Sequence, residues 1–485
     1  MKGQYGRAVR WFLGLSFLGL VWGAMAKESV STSVEKPNIL FIMVDDLGKE
    51  WISCYGAEGI QTPNIDALAK GGMQFSNTYS MPKCTPSRTT LLTGRYPFRT
   101  GWVNHWDVPR WGVGYFDWRK NDSFARRLKE LGYATCAAGK WQINDFRLEP
   151  QAMAKHGFDA WCMWTGYEGG NEQSGSRYWN PYINTREGSK IYEGQFGPDV
   201  FTDFIIRFMK KHRDEPMCIY YPMVLVHSPV VTPPGEKNLS SGQEKHKAMV
   251  RYVDKLVGRL VQTIDQLGLR KRTIIIFTTD NGTGGKIKGV LKGRTVIGGK
   301  GKMLESGVCE PFIVNAPGRV PENSTSDALI DFSDLFPTFM EWAGASPLPS
   351  GAVDGTSFAR VAAGEKQKNS RDWILAMGHG VASVEADGLH GKVPFCERVL
   401  RDKRFKVWVS EDRQITALYD LKNDPAEQVN LINSTDPACQ SALKKFQAIL
   451  ASFPKKDARP SYESRKPNPW DRKKKKHHTT SATDS

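Results

Sequence analysis

Cysteine is scarce, with eight in 485 residues, so the fold cannot be a small disulfide-stapled one and must rest on a buried core. Long apolar runs are scarcer still. The one that stands out, residues 11–26, spans 16 positions, short of the about 20 that a membrane-spanning helix needs. Internal repeats are missing too. A content of 40% hydrophobic and 24% charged residues excludes a disordered chain. At roughly 150 residues per domain, the length allows two or three domains, or one large α/β domain with a smaller companion.

The apolar run is ordered like a secretory leader. Lys2, Arg7 and Arg10 precede it, and Ala24-Met25-Ala26 ends it with small residues. Residues 1–26 are therefore expected to be a signal peptide cut near Ala26, giving a secreted or periplasmic protein. The net charge of +16 divides into +3 in the leader, +6 in residues 455–485 and +7 over everything else. No basic stripe results, so nucleic acid is not an expected partner. Residues 454–485, with Arg472 to Lys476 in an unbroken basic run, are expected to be a solvated, disordered tail.

Five apolar runs read as buried parallel strands: residues 39–44, 133–138, 217–226, 273–279 and 311–315. Amphipathic helices are expected between them, from Pro63 to Gly71 and over 123–131, 199–211 and 244–267. Alternation of this kind predicts a large, doubly wound, mostly parallel sheet flanked by helices, over residues 27–355. Alternating segments at 405–409 and 416–421, closed by a helix near 441–452, predict a smaller subdomain with antiparallel strands over 356–453.

Four of the five runs end in polar clusters: Asp45-Asp46, Lys140 with Gln142, His227, and Asp280-Asn281. Ligands of open parallel sheets bind beyond the carboxyl ends of the strands, so one shared site explains all four. Asp45, Asp46, Asp280 and Asn281 offer only oxygen donors, which suit Ca²⁺ or Mg²⁺ rather than zinc. Cys84 opens a helix and Arg88 follows one turn later. By itself that pair reads either as a reactive thiol or as a buried residue.

The segment Cys84-Thr-Pro-Ser-Arg-Thr-Thr-Leu-Leu-Thr-Gly-Arg95 resembles the signature of the type I sulfatases, in the alkaline phosphatase superfamily. The resemblance runs from about residue 37 to 431. It takes in Asp45-Asp46, Gly139-Lys140-Trp141, His227-Ser-Pro, Asp280-Asn281-Gly282, Gly299-Lys300-Gly301 and Leu418-Tyr-Asp-Leu421.

Membership would imply that Cys84 is converted to Cα-formylglycine by a generating enzyme. Asp45, Asp46, Asp280, Asn281 and residue 84 would then bind one divalent cation, Ca²⁺ before Mg²⁺. The hydrated aldehyde would attack sulfur, Asp280 would help take its proton, and His227 would protonate the leaving alcohol. Lys140 and Lys300 would stabilise the sulfuryl oxygens and Arg88 would hold the hydrate. Substrate contacts would come from Lys140, Gln142, His227 and Lys300.

One position departs from the pattern. The family has histidine where this chain has Gln142, which can hydrogen-bond but cannot act as a base; His105 is the alternative candidate for that part. Eight of the 15 tryptophans lie between Trp102 and Trp179, alongside Glu168, Asn171, Glu172 and Arg177. This stretch suits either sugar stacking or core filling. Residues 286–302 carry six Lys or Arg and are expected to form a flexible basic loop. The expected activity is release of sulfate from a sulfated saccharide. The alternatives are a phosphodiester or phosphonate monoester hydrolase of the same superfamily, and a non-catalytic polyanion binder with Cys84 unmodified.

Overall fold

The strand Asn38–Val44 is buried along its whole length because both of its faces are covered. Ile39, Phe41 and Met43 enter a core with Leu91, Leu92 and Phe339. Leu40, Ile42 and Val44 enter another with Leu256, Val257 and Leu260. This is why the run is continuously apolar rather than alternating. The computed structural model describes residues 36–106, 116–144, 146, 149–164, 177–237, 239–365, 371–378, 381–385, 388–390 and 393–460, without the side chains of 105, 106 and 381–390. The expected leader, the tail beyond residue 460, Glu168, Asn171, Glu172 and the His105 side chain lie outside the described residues.

Ten strands form one sheet in the order Ser324–Asp331, Met73–Tyr79, Cys309–Asn315, Thr273–Thr279, Asn38–Val44, Met217–Pro222, Ala134–Lys140, Ala160–Trp164, Tyr182–Thr185 and Gly188–Ile191. The five central strands, from Thr273–Thr279 to Ala160–Trp164, run parallel. Helices cover the sheet, among them Gly197–Lys211 and Gly242–Gln266. The second starts at a capping box: Ser241 accepts from the Glu244 N–H, and Glu244 reaches back to the Ser241 N–H. No helix among the described residues is long and apolar enough to cross a membrane.

Two strand expectations are corrected. The run 311–315 lies in Cys309–Asn315, which is antiparallel to both neighbours; apolar continuity reports burial on two faces and carries no direction. The run 217–226 leaves the regular ladder at Pro222. Its remainder still tracks the central strand, with Met223 N–H donating to Met43 O at 2.8 Å and Val226 N–H to Asp45 O at 2.7 Å.

A second, antiparallel sheet carries Ile374–Met377, Arg398–Arg401, Phe405–Val409 and Ile415–Asp420. The helix Pro437–Ala451 closes it, begun by Pro437 at its first position and by Asp436, which accepts from the Ala438 and Cys439 N–H groups. Leu400, Val407, Leu418, Leu443 and Phe446 fill the space between sheet and helix.

Candidate active site

Four adjacent parallel strands, at their carboxyl ends or in the turns just after them, deliver the polar clusters to one place. Asp280 N–H donates to Val44 O at 2.9 Å and Leu47 N–H to Asn281 O at 3.1 Å, which locks the Asp45-Asp46 and Asp280-Asn281 corners together. Asp46 takes a left-handed backbone, φ 64°, a conformation that Asp tolerates better than most residues. Successive carboxylates therefore do not alternate as they would in a strand. Asp45, Asp46, Asp280 and Asn281 are all buried.

The helix Cys84–Thr93 is buried at every position and ends on Gly94, whose φ of 67° suits glycine. Ser87 fixes its first turn: the hydroxyl accepts from Met81 N–H at 3.0 Å and donates to Asp280 O at 2.6 Å. Cys84 Sγ thereby lies 3.5 Å from Asp45 Oδ1 and 3.9 Å from Asp46 Oδ1. Ligand atoms of Asp45, Asp46, Cys84 and His227 all fall within 4.8 Å of one another.

Cations interleave with these carboxylates. Arg88 donates to Asp280 Oδ2 at 2.6 Å and to Lys140 O at 2.8 Å. Lys140 Nζ reaches Asp45 Oδ2 at 2.6 Å, and Lys300 Nζ reaches Asp46 Oδ2 at 2.7 Å. His227 Nε2 stands 3.7 Å from Asp46 Oδ2 while Nδ1 bonds Ser228 O at 2.6 Å. Gln142 follows Lys140 on a left-handed backbone, φ 62°. The structure thus gathers Asp45, Asp46, Cys84, Arg88, Lys140, His227, Asp280, Asn281 and Lys300 into one buried cluster.

Electrostatics sorts these groups. Burial raises the Asp45 pKa, but the charges of Lys140, His227 and Arg88 outweigh it and hold the group well below the ordinary range. Burial, then the Asp45 charge, pushes Asp280 up to about 6. Burial, then the Asp280 charge, pushes the Cys84 thiol up to about 12. Burial and the nearby Arg177 charge hold His227 well below its usual value.

Three buried carboxylates and the carbonyl of Asn281 make a hard, all-oxygen donor set. Asn281 Oδ1 is buried with no hydrogen-bond partner, although its Nδ2 donates to Asp46 Oδ1 at 2.8 Å. A buried acceptor of this kind, beside two carboxylates, is satisfied by a hard cation, so these residues fit the expected Ca²⁺ or Mg²⁺.

The structure also adds residues and revises some readings. Arg177 lies against the Trp164 ring, 4.1 Å from its centroid, with Nη1 3.9 Å from Asp45 Oδ2. The sequence marked it only as a polar neighbour of the clustered aromatics, not as a member of the charged cluster. Tyr178 donates to Val224 O at 2.9 Å and to His227 O at 2.5 Å, tethering the His227 loop. Of the clustered tryptophans, Trp102, Trp141, Trp161 and Trp164 are core residues, so the sugar-stacking reading fails for these four; Trp179 is exposed. The expected flexible basic loop is instead a β-hairpin, Lys288–Leu291 paired with Arg294–Ile297. Lys292 and Gly293 both take positive φ at its turn, 49° and 76°, as a two-residue hairpin turn requires.

Comparison with known proteins finds similarity to sulfatases. The Sulfatase family model matches residues 37–345, and the model for the C-terminal region of N-sulphoglucosamine sulphohydrolase matches residues 298–455. The N-acetylgalactosamine-6-sulfatase of Sus scrofa is 31% identical over 72% of this chain and 69% of that protein. The N-acetylgalactosamine-6-O-sulfatase of Bacteroides thetaiotaomicron is 29% identical over 82% of this chain and 90% of its own length. This chain spans 65% of the corresponding dog enzyme and 65% of the human one, just under two thirds of each. Among solved structures, Ps i-CgsB in complex with k-i-k-neocarrahexaose superimposes with a TM-score of 0.71 at 25% identity, covering 88% of this chain and 95% of that one.

Proposed function

The chain belongs to the sulfatase family, and from that membership we propose that it is a sulfuric ester hydrolase releasing inorganic sulfate from a sulfated saccharide. The observation that carries the reading is the seat of residue 84. It sits 3.5 and 3.9 Å from the Asp45 and Asp46 carboxylates, at the buried head of a helix. The saccharide class is supported by relatives that act on N-acetylgalactosamine sulfates and by a neighbour with a bound neocarrahexaose.

Asp45, Asp46, Asp280, Asn281 and residue 84 would hold a divalent cation, whose charge acidifies a neighbouring hydroxyl and offsets charge on the sulfuryl oxygens. Converted to formylglycine and hydrated, residue 84 supplies a hydroxyl that attacks sulfur and, by returning to the aldehyde, a route for sulfate to leave. The remaining work falls to this chain's side chains. Arg88 fixes Asp280 and the Lys140 backbone at once, so the base side and the anion side keep their spacing. Asp280, beside the cation and held by Arg88, would help take the proton of the attacking hydroxyl. Lys140 and Lys300 face the sulfuryl oxygens in a site from which bulk water is largely excluded, where fixed charges act most strongly.

His227 gives the leaving alcohol oxygen its proton from Nε2. Its Nδ1 is engaged by the Ser228 carbonyl, so Nε2 is the nitrogen available to the substrate. Burial and the Arg177 charge disfavour the imidazolium, and the incoming negative ester favours it. Gln142 would hydrogen-bond the hydrate without accepting its proton, so the collapse of the hydrate either draws on another group, with His105 the candidate, or is slower.

The test is a comparison of kcat/KM for an aryl sulfate, a phosphodiester and a phosphonate monoester at fixed Ca²⁺. The sulfate should lead. A sulfate rate far below either phosphorus substrate would replace this reading with the phosphorus-directed one.

A further inference from the structure

Between Thr283 and Lys300 the chain leaves the site, runs out along one strand, turns at Lys292-Gly293 and comes back. Lys300 N–H donates to Thr283 O at 3.0 Å and Gly298 N–H to Ile287 O at 3.0 Å, so both feet of this hairpin stand at the rim. Residues 282–304 contain six Lys or Arg and no Asp or Glu. Of these, Lys300 is the one that bonds a carboxylate of the site, at Asp46. Lys286, Lys288, Lys292 and Arg294 are exposed, and none of them makes an ion pair among the described residues. The nearest acids are engaged otherwise: Glu58 accepts from Gly293 N–H at 2.6 Å, and Glu50 is buried and bonded to Thr283.

The hairpin is held firmly. Gln243, in the first turn of the long helix, bonds both the O and the N–H of Lys288, at 2.5 and 3.2 Å. The strand Ala57–Glu58 pairs with Val290 and Leu291, and Lys292 N–H donates to Gly56 O at 3.0 Å. Gly289 lies flat on Glu50: a Cβ there would stand 2.5 Å from Glu50 Cγ, so only glycine lets the finger pack this closely. Four exposed cations are thus presented on a fixed backbone scaffold, which an incoming anion does not have to order.

We propose that this hairpin is a docking surface for a polyanionic saccharide chain, taking the sulfate or carboxylate groups beyond the unit that is cleaved. The inference rests on the sulfatase reading for the cleaved unit only. Four residues of strand reach about 13 Å from the rim, farther than the roughly 8 Å over which physiological salt leaves a charge visible. The outer cations therefore matter little to a small ester bound at Lys300. They matter to a chain long enough to touch them directly.

The test removes the two outer charges, K292Q/R294Q, and measures both aryl sulfate turnover and the Kd for dextran sulfate. A control removes the same net charge elsewhere, from the exposed Lys210 and Lys422. The hairpin variant should keep aryl sulfate kcat/KM within about twofold and weaken dextran sulfate binding about fourfold, roughly twofold for each cation removed. The salt dependence of that Kd should flatten with it, and the control should bind like the wild type.

Equal weakening in both variants would assign the effect to net charge and overturn the proposal. So would unchanged Kd in the hairpin variant, or a matching loss of aryl sulfate turnover. A wild type that binds dextran sulfate through the hairpin but releases sulfate from neither an aryl sulfate nor a sulfated saccharide would refute the sulfatase reading while sustaining this one.

Discussion

Glu305→Gln is the substitution whose cost the structure specifies most fully. Glu305 begins the turn after the Lys300 loop, and its carboxylate takes hydrogen bonds from Tyr79 and Arg401 and from Lys406 Nζ at 3.2 Å. Its N–H donates to Glu427 at 2.7 Å. Arg401 and Lys406 belong to the second sheet, so this one side chain joins that sheet to the loop bearing Lys300. Burial raises its pKa, yet Arg401 and Lys406 prevail and hold it at about 2 against an ordinary 4.5.

A depressed carboxyl stabilises the fold above its unfolded pKa and loses that stability as the pH falls toward its folded one. The shift corresponds to about 3 kcal/mol at neutral pH, in line with the roughly 3–5 kcal/mol that breaking a buried ion pair costs. For a fold of this size that is a fall in Tm of about 3–4 °C. Thermal unfolding of wild type and E305Q at neutral pH and near pH 3 checks it. The gap should shrink by more than half at the lower pH, where the unfolded carboxyl is already protonated. A gap under about 2 °C, or one equal at both pH values, refutes the reasoning, because an uncharged packing role would not titrate.

Other outcomes follow from the site. His227→Ala should slow alkyl sulfates about 100-fold and a nitrophenyl sulfate far less, read as a steeper dependence of kcat on leaving-group pKa; equal losses would remove the general-acid role. Arg88→Met strands Asp280, whose Oδ2 it holds at 2.6 Å, and should cost about 3 kcal/mol or more of stability by denaturant unfolding. Asn281→Leu should weaken Ca²⁺ binding in calorimetry by tenfold or more while the fold survives; unchanged affinity would take Asn281 out of the donor set. Arg177→Met removes a cation beside Asp45 and His227 and should move the His227 limb of the kcat/KM pH profile upward; an unmoved limb would remove that coupling.

Much of the centre was readable in the sequence because it is written in local chemistry. The run at 39–44 became the strand Asn38–Val44, and the polar clusters after four such strands met at one sheet edge. What was hidden depends on partners distant in the chain. The strand Met73–Tyr79 mixes Gln74, Ser76 and Asn77 with apolar residues, and it is legible only once Cys309–Asn315 lies beside it.

Direction was unreadable for Cys309–Asn315 for the same reason. The tryptophans divide between core and surface by their neighbours, with Trp164 under Arg177 and Trp179 exposed. The basic segment looked like a loop because glycines and lysines have low strand preference, and its pairing comes from the Lys292-Gly293 turn together with Ala57–Glu58.

The central claim is that residue 84 works as an oxidised side chain and not as a thiol. Mass spectrometry of the tryptic peptide containing residue 84, from protein made in its own source and assayed for sulfate release, tests it most directly. The account predicts an aldehyde at residue 84, in a fraction that rises and falls with specific activity across preparations. A fully active protein whose residue 84 is entirely unmodified cysteine would contradict it.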